Sequence, residues 1–273
     1  MVRTLWTAAS GMIGQQTNVD TIANNLANVN TVGYKTETNE FKSLLYQTIQ
    51  TRTTSANGDQ KPVGAQVGLG VRNSAIVSQF KQGPLLESES DTALAISGKG
   101  LFAVRGNDGK IMYTRNGDFR FAVGSNNTMV LTTSDGLPVL NTAGQDIRIP
   151  NTYMVNRIEI DVDGYLMYPD AKNNMQRIAN TRIGLYQFQN ASGMDKMGDS
   201  LYMPTAASGP ALNEATNNNL EKSVIRQGYL EGSNVQVADE MVNLIVAQRA
   251  YELNSKAIQT ADTMMQEANE LRR

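Results

Sequence analysis

With 273 residues, 40% of them hydrophobic, the chain can build one large domain or two modest ones around a sizeable core. A net charge of -2 gives no general electrostatic reason to bind nucleic acid or an anionic membrane. The absence of Cys and His removes disulfides, thiolate nucleophiles, Cys-rich zinc sites and the commonest general base, so enzymatic readings lose most of their usual tools and no cofactor is expected.

Residues 1–20 alternate small polar and apolar groups, without the continuous apolar stretch of a cleaved signal. Any export is expected to use another route, and the lack of Cys suits an oxidising space. No run of about 18 apolar residues occurs, so membrane insertion is not expected.

Leu5, Met12, Val19 and Leu26 fall seven apart, and three positions after them stand Ala8, Gln15, Ile22 and Val29. This spacing predicts an amphipathic helix of about four heptads, stopped near Asn30 and Gly33. From Met1 through Tyr34 the only charged residues are Arg3 and Asp20, where the overall 18% would give about six. The stretch TIANNLANVNTVGYK instead places Asn24, Asn25, Asn28 and Asn30 among apolar residues. Asn lowers helix propensity by roughly 0.6 kcal/mol relative to Ala, but an amide is buried far more cheaply than a charge once it has a partner. The expected partners are other copies of the chain.

Residues 46–69 have no helical period and read as an extended connector, with 204–219 as the returning one. Between the two ends of the chain come short alternating runs separated by Asn57-Gly58, Asp108-Gly109, Asn116-Gly117, Asp135-Gly136 and Asp163-Gly164, pairs that favour type I′ hairpins. From Leu94 to Val139 the runs predict consecutive strands of a meander or small barrel.

Three motifs invite a chemical reading. Glu159, Asp161, Asp163, Gly164 and Asp170 fit calcium-loop positions, but their flanks read as strands and favour a hairpin. Gly98, Gly100 and Gly106 lack the rest of a phosphate loop and read as turn glycines. Glu87, Glu89 and Asp91 form an acidic cluster; a carboxylate pair for glycosidic chemistry is the sharp reading and a solvated loop the ordinary one.

At the other end Val237, Leu244, Tyr251, Ile258 and Met265 form a second seven-spaced line, with Ala247, Ala261 and Ala268 three positions after members of it. Ser233 and Gln236 suggest a capping box, Asp239 and Glu240 occupy the early turns, and Arg272 and Arg273 close the end. The predicted class is α+β: terminal helices pairing as a coiled-coil-like assembly domain, and a central antiparallel all-β domain. The expected division is 1–45 for the N-terminal helix, 46–92 for connector and first strands, 93–224 for the β domain and 225–273 for the C-terminal helix.

LWTAASGM, QQTNVDTIANNLANVNTVGYK and EFKSLLYQTIQ, then ALAISGKGLFAV and YTRNGDF, then QGYLEGSNVQVADEMVNLIVAQRAYELNSKAIQTADTMMQ, resemble the bacterial flagellar rod and hook axial proteins over nearly the whole chain. The departures are Leu101, where that family often has Phe, and SNNTMVL after YTRNGDF. The resemblance implies a non-enzymatic subunit of the basal body that polymerises helically into the distal rod in the periplasm, transmits torque to the hook and forms part of the export channel. Implied partners are further copies, proximal rod and hook proteins, surrounding ring proteins and the export apparatus. The assembly set is then Leu5, Met12, Val19, Ile22, Asn24, Asn25, Leu26, Asn28 and Val29 with Val237, Leu244, Tyr251, Ile258 and Met265. The segment from Tyr46 to Val63, through Thr48 and Gln50, is expected to stiffen the rod. A proximal rod or hook subunit is the nearer alternative, and a secreted glycan-binding protein or cell-wall hydrolase the more distant one.

Overall fold

The computed structural model describes residues 2–50, 64–124, 127–170, 174–217 and 219–271. Two compact units emerge, unit 1 from Met1–Ala27, Glu37–Val77 and Gln236–Arg273, and unit 2 from Asn28–Thr36 and Ser78–Val235. The class is α+β, a helix at each end and antiparallel strands between.

In unit 1, helix α1 spans Val2–Ala27 and helix α2 spans Val237–Glu270. They pack against each other in antiparallel directions: Gly11 meets Asn254, while Gln16 and Val19 lie beside Gln248 and Tyr251. The predicted capping box does not form. Gln236 stands at the N-cap without a side-chain cap bond, and Ser233 Oγ instead accepts the Val235 N–H at 3.3 Å. Arg272 and Arg273 lie outside the described residues.

Strand Glu37–Ser43 pairs with Val71–Ser78, and Tyr46–Gln50 pairs antiparallel with Ala65–Gly68, from Tyr46 opposite Gly68 to Gln50 opposite Ala65. Residues 46–69 therefore do not run as one extended connector, because their described ends fold back on each other through strand pairing. Tyr46, Thr48 and Gln50 are exposed; Val63, Asn57 and Gly58 fall outside the described residues.

Unit 2 is organised by the strand Leu101–Arg105, which lies inside a six-stranded sheet and is buried on both faces. Because side chains alternate along a strand, Phe102 and Val104 enter a core with Leu94, Ile96, Phe119, Leu131, Ile147, Leu166 and Ile225, while Leu101 and Ala103 join Tyr113, Leu140 and Tyr202 in a second cluster. The strands predicted between Leu94 and Thr133 exist, whereas the last predicted run, at Leu137–Leu140, makes only isolated bridges, and the strands do not follow one another as a meander. Leu94–Ser97 pairs with Val224–Gln227, Ile111–Thr114 pairs with Leu201–Met203, and Phe119–Val123 pairs only with Thr128–Thr133 among the described residues. The described residues of 204–219 are likewise part of the unit rather than a returning connector. Leu212–Asn213 pairs with Leu185–Gln187, and buried Glu214 accepts from Ser223 N and Oγ and from Gln187 Nε2 at 2.8–2.9 Å.

The Asp-Gly turns differ from expectation in one respect. At 109, 136 and 164 only the Gly has positive φ, of 74°, 82° and 82°, so these are three-residue loops closed by a left-handed Gly and not type I′ turns. The bonds agree: Gly109 N donates to Gly106 O at 2.9 Å and Gly106 N to Lys110 O at 2.8 Å. A Cβ at Gly109 would meet nothing within 4 Å, so its conformation alone requires Gly. Gly109→Ala is expected to cost about 1 kcal/mol and Gly109→Asn less, since Asn tolerates this region. Urea denaturation of the two variants checks the order, and equal stability would contradict the turn assignment.

Candidate assembly interface

Along α1, the seven-spaced line and its companion lie on the covered side: Ala8 and Ile22 are buried, and Leu5, Met12, Gln15, Val19 and Leu26 are half-buried; Val29, also half-buried, lies past the end of α1. Along α2 the covered side instead follows Ala247 and Ala261, 1% and 2% exposed, while Ala268 near the end of the helix is exposed. Leu244, Ile258 and Met265 are half-buried, whereas Val237 and Tyr251 stand 41% and 43% exposed. A straight helix drifts about 20° per heptad against a seven-residue repeat, so one seven-spaced line cannot hold the same face through all of α2.

Outside that seam α2 carries a second apolar row. Val242, Val246, Leu253 and Met264, separated by four, seven and eleven residues, recur on one face and are 52–66% exposed. Ile245 at 55% flanks the row, and on α1 Trp6 and Ile13 are 71% and 66% exposed. Beside Gln16, Val19, Gln248, Tyr251 and Glu252 the helices leave an open cleft of about 430 Å³. Val19 and Tyr251, drawn from opposite ends of the sequence, are thus brought together.

The asparagines divide. Asn24 is exposed, Asn28 half-buried, and Asn25 is 1% exposed. The Asn25 amide donates to Glu37 O at 2.8 Å and accepts Glu37 N–H at 2.9 Å, a two-bond clamp within unit 1. Its partner is therefore the same chain and not another copy, which corrects the sequence expectation. Asn25→Ala strands two backbone groups and is expected to destabilise the isolated chain by about 2–3 kcal/mol. Urea unfolding followed by far-UV circular dichroism measures this, and an unchanged midpoint would remove the clamp's importance.

Gly33 does not cap α1. Its φ of +70° serves a close approach, where a Cβ would lie 2.6 Å from Asn116 N, and its own N–H donates to Glu231 O at 2.8 Å. Two residues on lies a centre that sequence reasoning missed. Lys35 Nζ is 2.6 Å from Glu231 Oε1 and donates to Lys81 O at 2.7 Å, with both ion-pair side chains fully buried. Gly83 N–H donates to the same Oε1 at 2.9 Å, and Arg115 Nε stands 3.5 Å from Oε2 while its Nη2 donates to Gly98 O at 2.6 Å. Burial is the main force lowering the Lys35 pKa; Glu231 pulls it back up and Arg115 pushes it further down. Arg115 is lowered by burial too, against the pull of Glu231 and Glu214. The available signal was Lys35 itself, a lone cation ending a nearly uncharged stretch, and Glu231 set in GYLEGS.

Glu87, Glu89 and Asp91 are all solvent-exposed, and Glu159 to Asp170 form a hairpin in which Gly164 N donates to Asp161 O at 2.8 Å. Gly100 N donates to Ser223 Oγ at 2.9 Å, a turn contact. No helix among the described residues is long and apolar enough to cross a membrane.

Three family models match the chain. Flagella basal body rod protein covers residues 5–35, flagellar hook protein FlgE/F/G D1 domain covers 95–168, and flagellar basal body rod FlgEFG protein C-terminal covers 226–271. Among similar proteins, flagellar basal-body rod protein FlgG of Borreliella burgdorferi is 43% identical over 274 residues, covering 100% of both chains. The proteins of that name from Caulobacter vibrioides and Bacillus subtilis are 39% and 36% identical, over 99% and 100% of this chain and 100% of each relative.

Proposed function

Because the chain belongs to the flagellar basal-body rod protein family, we propose that it is a distal rod subunit, a non-catalytic element of a helical tube that transmits torque to the hook and encloses part of an export channel. The observation that carries this is the apolar row of Val242, Val246, Leu253 and Met264, which the intramolecular seam leaves uncovered. Such a row on a helix already paired along another face is an interaction surface. Further copies are its fitting occupants, because α1 bears only Arg3 and Asp20 as charges and tolerates burial on every side. In this reading Leu5, Met12, Val19, Ile22 and Leu26 set the internal seam with Leu244, Ile258 and Met265, and Val237 and Tyr251 join the outer contacts. Asn24, Asn28 and Val29 are likewise proposed as contacts to further copies. Proximal rod, hook, ring and export proteins are the proposed neighbours.

The paired ends Tyr46–Gln50 and Ala65–Gly68 are exposed along nearly their whole length, with Leu45 at 82%, Tyr46 at 61% and Ile49 at 59%. A lone two-stranded ribbon is marginal in water and gains from a neighbour, which supports a stiffening role for Tyr46 to Val63. Electron microscopy of concentrated protein tests the reading. Straight tubes are expected from the full chain, and more flexible or curved tubes after deletion of 46–63. Persistent monomers at high concentration would overturn the polymer reading, and unaltered straightness would overturn the stiffening role.

A further inference from the structure

The chain enters or leaves unit 2 at residues 28, 36, 78 and 235, and three of these four exits converge on one polar centre, half-buried at Thr36 and Asn234 and buried at Lys35, Arg115 and Glu231. Thr36 donates through both N–H and Oγ1 to Asn234 Oδ1, each at 2.7 Å. Asn234 Nδ2 donates to Gln79 O at 2.9 Å and Lys81 O at 3.1 Å. Adjacent to it, Glu231 Oε1 receives Lys35 Nζ and Gly83 N–H, with Arg115 on its other oxygen. Two cations thus share one carboxylate, and Arg115 Nη1 is buried without a hydrogen-bond partner among the described residues. An ensemble so costly to desolvate is a poor means of gaining stability, since apolar replacement of a whole buried ionic set is often neutral or stabilising. Its directional bonds, however, fix geometry in a way that apolar contacts do not.

We propose that Lys35, Arg115, Glu231 and Asn234 are positioning residues: together they form a collar that holds the three exits of unit 2 in one fixed arrangement, and stability is not their main contribution. The importance of that arrangement for a tube rests on the rod-subunit reading, but the collar itself is testable in the single chain. Two backbone bonds report on it without involving any of the four side chains: Gly33 N to Glu231 O and Gln79 N to Thr36 O, both 2.8 Å. Leu94 N to Gly117 O and Ile225 N to Val162 O, both 3.0 Å, serve as core references.

The experiment is hydrogen exchange on the full-length dilute chain, comparing wild type with the triple variant Lys35→Met, Arg115→Met, Glu231→Leu and with Asn234→Ala. Expected is a melting temperature held or raised in the triple variant, unchanged protection at Leu94 and Ile225, and roughly tenfold faster exchange at Gly33 and Gln79. Unchanged exchange at Gly33 and Gln79 overturns the collar. If the triple variant loses melting temperature and core protection together, Asn234→Ala decides. Faster exchange at Gln79 with an intact core upholds the proposal, and any other result overturns it. Failure of wild-type chain to form tubes would count against the rod-subunit reading alone and leave the exchange result standing.

Discussion

Glu231→Gln, made singly, is expected to lower the melting temperature of unit 2 by roughly 10 °C, through a loss of about 3–5 kcal/mol. The substitution preserves shape and volume but removes the one carboxylate that, among the described residues, faces Lys35 and Arg115 at ion-pair distance, leaving two cations side by side in a site where the Lys35 and Glu231 side chains have no solvent exposure. Neither cation can swing into water without breaking its bond to Lys81 O or Gly98 O. The contrast with complete apolar replacement is the point of the measurement: breaking a buried set costs far more than deleting it. Calorimetry and near-UV circular dichroism read the effect. A loss under about 1 kcal/mol would mean that the site is not a charged, water-free centre.

How far the sequence foretold this molecule depended on whether each feature is local. The terminal helices were legible because seven-residue spacing and early acidic residues such as Asp239 are properties of one short segment. The strands around Phe102 and Leu131 were legible for the same reason. Their partners were not: alternation states that Leu94–Ser97 is a strand, but nothing within it names Val224–Gln227 as its neighbour. The handedness of the turns was missed because Asp-Gly serves both two-residue and three-residue loops, and only φ at the Asp separates them. For Asn25 the chemistry was read correctly, an amide buried with a partner, and the partner wrongly. Glu37 lies just past the turn that follows α1, and a helical pattern cannot show that the chain doubles back there. The Lys35 and Glu231 pair joins opposite ends of the sequence, so its trace was slight: a cation closing a nearly uncharged stretch, and an anion with no other charge within four residues.

The two apolar systems on α2 lead to opposite results from adjacent substitutions. Val246 is 62% exposed and Ala247 is 1% exposed, although they are neighbours in sequence. Val246→Asp introduces a charge on a solvated face, so the isolated chain should keep its stability to within about 0.5 kcal/mol. In a tube that buries this face the same carboxylate is desolvated without a partner, at a cost of several kcal/mol at every repeated contact, and polymerisation should cease. Ala247→Asp places the charge in the seam against α1 instead. It should separate the helices within a single chain, lowering far-UV ellipticity and unit 1 stability by about 3 kcal/mol or more before any question of assembly arises. Sedimentation and electron microscopy report the polymer, and thermal melts at low concentration report the monomer. If Val246→Asp forms tubes as readily as the wild type, the outer row is not an assembly surface; if it melts like Ala247→Asp, the division between inner seam and outer row is wrong.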